Sequence, residues 1–197
     1  MPFKSALSAI NFDTRWTTYR RPNQLQAPRI WRRWLCDRGS LTQHLIAASN
    51  NNFRVEVEQQ CWSIPSRSEA KVLGIKHRQV ALIREVKLIG NDQPYVVART
   101  VIPAGTLTGK QKQLATLGNR SLGSLLFNEP SMRRGKFQIS RLTSNSEKAG
   151  YSLWARRSVF YLSNKPLLVS EVFLPVLGQL DYQPPLLSCD KIPLKKA

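Results

Sequence analysis

Period-two alternation is the strongest pattern along the chain. Residues 53–62 set Phe53, Val55 and Val57 against Arg54, Glu56 and Glu58, which predicts a half-buried strand. Residues 80–89 and 94–102 are two further strands around Gly90-Asn91-Asp92-Gln93, residues suited to a tight hairpin turn. A short strand is expected over 135–142. A second hairpin is expected from 154–163 and 166–174 around Asn164-Lys165.

Helical spacing takes over between these segments. Residues 29–37 carry Ile30, Trp31, Trp34 and Leu35 on one side, with Gly39 as a stop. Ser40-Leu41-Thr42-Gln43 has the form of a capping box for a helix running through Ala48. Thr108-Gly109-Lys110-Gln111 repeats that signature before Leu114 and Leu117, and Ser121 is placed to cap a short helix with Leu122, Leu125, Leu126 and Phe127. Six short strands in antiparallel connections, interrupted by helices, describe an α+β domain built on one sheet, with room for a pocket under a helical layer. Residues 1–27 and the stretch from Gly178 lack a sustained period and are rich in proline. The expectation is a single domain over 1–197 with a core at about 28–176 and peripheral ends.

Composition narrows the function classes. No apolar run approaches the roughly 18 residues of a membrane-spanning helix, and the first residues make a poor signal peptide, so a cytoplasmic location is expected. Cys36, Cys61 and Cys189 form no CxxC pair, and His44 and His77 are the only histidines. The ligand inventory is too thin for a structural zinc site, so no metal is expected. The chain holds 30 Lys and Arg against 12 Asp and Glu, a net charge of +18. That excess favours anions of any kind. The cations fall in short clusters such as Arg133-Arg134 and Arg156-Arg157, read as solvated surface, and no basic arm or aromatic RNA-binding motif accompanies them, so no specific nucleic acid is expected. No phosphate loop, GxGxxG or GxSxG is present, which removes nucleotide cofactors and a serine-hydrolase elbow as implied requirements.

Strand parity singles out two charges. Arg84 shares a face with Val80, Leu82, Val86 and Leu88, and Glu171 shares one with Leu167, Val169 and Phe173. A buried charge costs several kcal/mol, roughly, unless paired or matched by a ligand. Either Arg84 and Glu171 pair with each other or reach an edge, or they mark a polar site in which Arg84 binds a carboxylate and Glu171 a hydroxyl or proton. Arg99, on a face with Tyr95, Val97 and Val101, joins them less strongly and reads equally as an ion-paired strand cation. His44 has no obvious carboxylate partner and reads as packing or surface. Cys61, Trp31 and Trp34 read as core or packing residues.

The blocks WL-x(3)-GSLT (34–42), IREVKL (83–88), ARTVIP (98–103), LGNRSLGSLLF (117–127), WARRS (154–158) and PLLVSEVFLP (166–175) resemble, in order and spacing, the bacterial chorismate lyase family of the ubiquinone pathway. The resemblance covers roughly residues 30–175. It implies a six-stranded antiparallel sheet with helical flaps closing over an internal ligand cavity. It also implies a carbon–oxygen lyase that removes pyruvate from chorismate to leave 4-hydroxybenzoate, without metal or organic cofactor. By motif, Arg84 would bind the ring carboxylate and Glu171 the hydroxyl at the opposite end of the ring. Leu41 and Leu122 would make backbone or apolar contacts. Ser121 stands where proline is common in the family, which leaves a backbone contact by Leu122 in place. A monomer is the default, since no coiled-coil pattern appears. The rival reading is a non-catalytic domain binding a hydroxybenzoate-like ligand, similar in fold to effector domains of bacterial transcription regulators. The 27 or so residues before the first helix are few for the DNA-binding domain that normally precedes those.

Overall fold

A computed structural model describes residues 10, 12, 14–18, 27–143 and 152–185. The elements in chain order are β1 (Thr17–Thr18), α1 (Arg29–Cys36), α2 (Leu41–Ala48), β2 (Phe53–Ser63), α3 (Arg67–Leu73), β3 (Ala81–Gly90), β4 (Gln93–Pro103), α4 (Leu122–Asn128), β5 (Arg133–Arg134), β6 (Gln138–Thr143), β7 (Ser152–Leu162) and β8 (Lys165–Phe173). The fold is α+β on a single antiparallel sheet. Its strand order is β1-β6-β7-β8-β4-β3-β2, with β5 also pairing β7. The sheet therefore has eight strands where six were expected. The six long ones stand close to their expected bounds. The additional pair, β1 and β5, are two residues each, too short to show any alternation along the chain.

Both hairpins use residues that tolerate positive φ. Asn91 and Asp92 lie at 48° and 60°, and Ser163 and Asn164 at 48° and 66°. These angles fit two-residue turns whose twist matches the strands. The second turn sits one residue earlier than the Asn164-Lys165 expected.

The helices follow their caps, with two departures. The Ser40 side chain accepts from the Gln43 backbone N–H and begins α2, and that of Ser121 accepts from Ser124 and begins α4. Gly109–Thr116 is a 3-10 helix, and Thr108 makes no side-chain cap. Gly109 sits at φ 60°, which an α-helical first turn does not accommodate. Helix α3 was not anticipated, although Ser66 and Glu69 form a complete capping box and Gly74 closes the helix in the left-handed conformation.

The sheet is covered on both faces. On one face, Trp34 and Leu35 of α1 and Leu41 and Leu45 of α2 pack on Val55, Val86, Leu88, Ala98 and Phe173. Beside them Leu126 of α4, with Leu114 and Leu117, packs on Leu82, Phe160, Leu167 and Val169. The opposite face is covered by Leu73 of α3 and by Ile10 and Phe12. No helix among the described residues is long and apolar enough to cross a membrane.

Candidate active site

A pocket opens between the two apolar clusters of the first face, roofed by the starts of α2 and α4. Its volume is about 50 Å³. On that measure a single water needs roughly 10–15 Å³. All four residues singled out for the site line it: Leu41, Arg84, Leu122 and Glu171. Arg134 and Arg156 line it too.

Cross-strand register explains why these side chains meet. Val86, Ala98, Glu171 and Arg156 form one row across β3, β4, β8 and β7, each directly opposite the next. Arg84 lies one row over, opposite Thr100. Directly paired residues project to the same face, as do residues two apart along a strand. With strands about 4.8 Å apart and about 3.4 Å per residue, the Arg84 and Glu171 Cα atoms stand roughly 12 Å apart, across two strand spacings and two residues. Their side chains converge on one space from opposite ends.

Arg84 and Glu171 do not pair with each other. Arg84 is 2 % exposed, yet its hydrogen bonds go to neutral acceptors: Gln60 Oε1 at 3.1 Å, Gly118 O at 2.7 Å and Arg120 O at 3.4 Å. Burial lowers its pKa. Gln60 reaches this face because a bulge between Val57 and Gln59 shifts β2 by one residue and reverses its parity. Glu171 instead accepts from Arg156 Nε at 2.5 Å, and Arg134 Nη2 lies 4.0 Å from the same oxygen. Arg156 is fully buried and also donates from Nη1 to the Trp34 and Asp37 carbonyls at 2.7 and 2.8 Å. Burial and neighbouring Arg156 push the Arg134 guanidinium down to about 9, against the opposing pull of Glu171 and Asp37.

The roof is tied at its two helix starts. Thr42 Oγ1 and Ser121 Oγ are 2.6 Å apart. A Cβ on Gly123 would sit 2.5 Å from Thr42 Oγ1, so the close approach of α4 to α2 requires glycine there. Leu41 and Leu122 are the first residues of their helices. First-turn N–H groups have no acceptor within the helix, so both positions can offer backbone donors.

Behind the roof, His44 has the carboxylate partner that its sequence context did not reveal. Its Nε2 is 3.2 Å from Asp37 Oδ2, and its Nδ1 is 2.8 Å from the Tyr182 hydroxyl. Asp37 is 5 % exposed. Burial alone would raise its pKa, but His44, Arg156 and Arg134 together hold it below the usual carboxylate value. Arg99, the weaker candidate, points to the other face and is bound to Glu69 and Glu85.

Arg134 and Arg156 are the functional candidates that the sequence reading missed. Arg156 and Arg157 are 0 % and 5 % exposed, not solvated. The signal for Arg156 was its parity, since it alternates onto a face with Trp154 and Phe160 as Arg84 does with its neighbours. Arg134 had no such signal, because β5 is two residues long. Among the described residues, no group of three or more His, Cys, Asp or Glu could hold a metal ion.

The family model for chorismate lyase matches residues 14–180, which takes in β1 and the stretch beyond β8. A probable chorismate pyruvate-lyase of Psychromonas ingrahamii is 43 % identical over 155 residues, covering 74 % of this chain and 82 % of its own. One from Thiobacillus denitrificans is 41 % identical over 166 residues, covering 79 % and 88 %. Among solved structures, the ligand-binding domain of a GntR-family regulator from Bordetella bronchiseptica is similar with a TM-score of 0.48 and 16 % identity, over 62 % of this chain and 84 % of that one. The length of the family match and the identity to these relatives show that the chain belongs to the chorismate lyase family.

Proposed function

We propose that this chain eliminates pyruvate from chorismate and releases 4-hydroxybenzoate, the first step of the ubiquinone ring pathway, in the pocket under α2 and α4. The observation that carries the reading is the convergence of Arg84 and Glu171 on one space, in a chain of this family. Among the described residues Arg84 has only neutral partners to give up for a carboxylate, and a guanidinium matches that group in bidentate geometry. Leu41 and Leu122, the first residues of α2 and α4, line the same pocket, and their backbone N–H groups would suit the same anion. Glu171, held by Arg156, faces the far end and takes the 4-hydroxyl.

The reaction asks little further of the protein. The C4–H bond breaks and its electron pair becomes ring π-bond. The C3–O bond breaks, and the enolate of pyruvate leaves, takes up a proton and becomes the keto acid. Aromatisation drives the sequence, so the pocket orients the substrate and assists the proton and the leaving group. Glu171, a carboxylate that lines the pocket, is placed for that assistance. The roof is the flap that closes over this cavity and opens for product release. A monomer in the cytoplasm completes the proposal.

Incubating chorismate with the purified protein, following pyruvate and aromatic acid together, tests it. Equal yields of pyruvate and 4-hydroxybenzoate are expected. Tight binding of a hydroxybenzoate with no pyruvate released would make the pocket a sensor and end the enzyme reading.

A further inference from the structure

The charges lining the pocket do not balance. Among the described residues, three guanidiniums, Arg84, Arg134 and Arg156, face a single carboxylate, Glu171. Setting Arg156 against Glu171 leaves two positive charges, Arg84 at one end and Arg134 at the other. Arg156 Nη2 is buried and has no hydrogen-bond partner among the described residues, although the other two nitrogens of that guanidinium are engaged. Arg134 is held loosely by polar groups, at 3.3 Å from Ser158 Oγ and 3.4 Å from the Arg38 carbonyl. It is fixed instead by stacking on Phe137 and Phe160, at 4.2 and 4.9 Å to the ring centres. On its outer side Arg134 also lines a second hollow of about 280 Å³ with Arg38 and Lys136, which adds positive charge and no carboxylate. A stacked guanidinium with weak polar partners beside a buried, unpartnered N–H is an arrangement that an anion satisfies.

We infer that Arg134 and Arg156 Nη2 form a second carboxylate site, which holds the carboxylate of the enolpyruvyl side chain. The inference rests on the lyase reading for the name of that substituent. The regiochemistry agrees: the ether is on C3, next to the C4 hydroxyl assigned to Glu171, so its carboxylate falls at the Glu171 end. The pocket then recognises a dianion by cations at two separated ends, while the aromatic product, with one carboxylate, satisfies only the Arg84 end. Arg134 thereby sets a preference for substrate over product, and elimination removes the group it holds.

Binding measurements separate this from the lyase reading. The probes are 4-hydroxybenzoate and 3-(carboxymethoxy)-4-hydroxybenzoate, a stable aromatic carrying a second carboxylate where the ether would be. Wild type should bind the dicarboxylate more tightly than the monocarboxylate, by roughly ten-fold or more for an added charge-assisted contact. Arg134→Gln should abolish that margin while 4-hydroxybenzoate affinity changes less than two-fold or so, and Arg134→Lys should restore part of it. Retained 4-hydroxybenzoate binding also reports that the variant is folded. Equal binding of both probes by wild type, or a parallel loss of both in Arg134→Gln with no rescue by Arg134→Lys, would overturn the second site. Failure of the lyase reading shows separately, as wild type that releases no pyruvate.

Discussion

Neighbouring rows on the two faces of this sheet bury arginines in opposite company. On the α3 face, Glu85, Arg99, Ser170, Arg157 and Gln138 run across β3, β4, β8, β7 and β6. Arg99 bonds Glu69 of α3 at 2.8 and 3.2 Å and also contacts Glu85, so one cation faces two carboxylates. Burial alone would lower its pKa, but Glu69 and Glu85 raise it above its ordinary value. Arg157 on the same row bonds Gln138 and Ser68 at 2.7 and 2.6 Å. On the pocket face the ratio inverts: among the described residues, three guanidiniums and one carboxylate line the space. Buried charge by itself therefore does not distinguish a structural network from a binding site. The sign left over after local pairing does, because an unmatched cation held in a pocket is stabilised only when an anion arrives.

Breaking the closed network should have the largest effect. Arg99→Leu leaves buried Glu69 and half-buried Glu85 without their cation and is expected to cost about 3–5 kcal/mol of stability, read as a shift in urea midpoint. Turnover per folded molecule should hardly change. Arg84→Ala sharpens the contrast from the other side. It should leave the urea midpoint much nearer wild type, yet lower kcat/KM for chorismate by about 100-fold, in line with losing roughly 2–3 kcal/mol of charge-assisted binding. A loss of stability as large as that of Arg99→Leu would refute the claim that Arg84 is held ready for a ligand.

Smaller effects test the roof and the charge behind it. Gly123→Ala pushes a methyl against Thr42, so it should loosen α4 from α2 and speed 4-hydroxybenzoate release several-fold, measured by stopped flow. Asp37 has a folded-state pKa below its unfolded value. Its contribution to stability is thus complete above about pH 4 and is lost as the pH falls through the lower folded value. Asp37→Asn should flatten that acid limb of the stability profile while wild type keeps it. An unchanged limb would mean that the Asp37–His44 contact is not maintained in solution.

How much of this was legible beforehand varied with the range of the signal. Arg84 and Glu171 emerged from alternation within single strands, and β3 and β8 keep that alternation intact across the site. The turn residues and the caps at Ser40 and Ser121 are equally local. The family blocks gave Leu41 and Leu122 their place, and the first-turn positions give a physical reason for a backbone contact. Helix α3 had its cap in plain view at Ser66 and Glu69, but seven residues beside a strong strand pattern gave little helical period to read.

What the chain's own pattern determined is which side chains lie on apolar faces and where the backbone turns, because those depend on residues within a few positions of each other. Only the tertiary structure decided which charges cancel. The β2 bulge brought Gln60 to Arg84, the β7–β8 register set Arg156 against Glu171, and α3 carried Glu69 to Arg99. Each of those partners lies 15 to 30 residues away along the chain, and the strong distance dependence of Coulomb and hydrogen-bond energies makes their meeting in space, not their spacing in sequence, the deciding quantity.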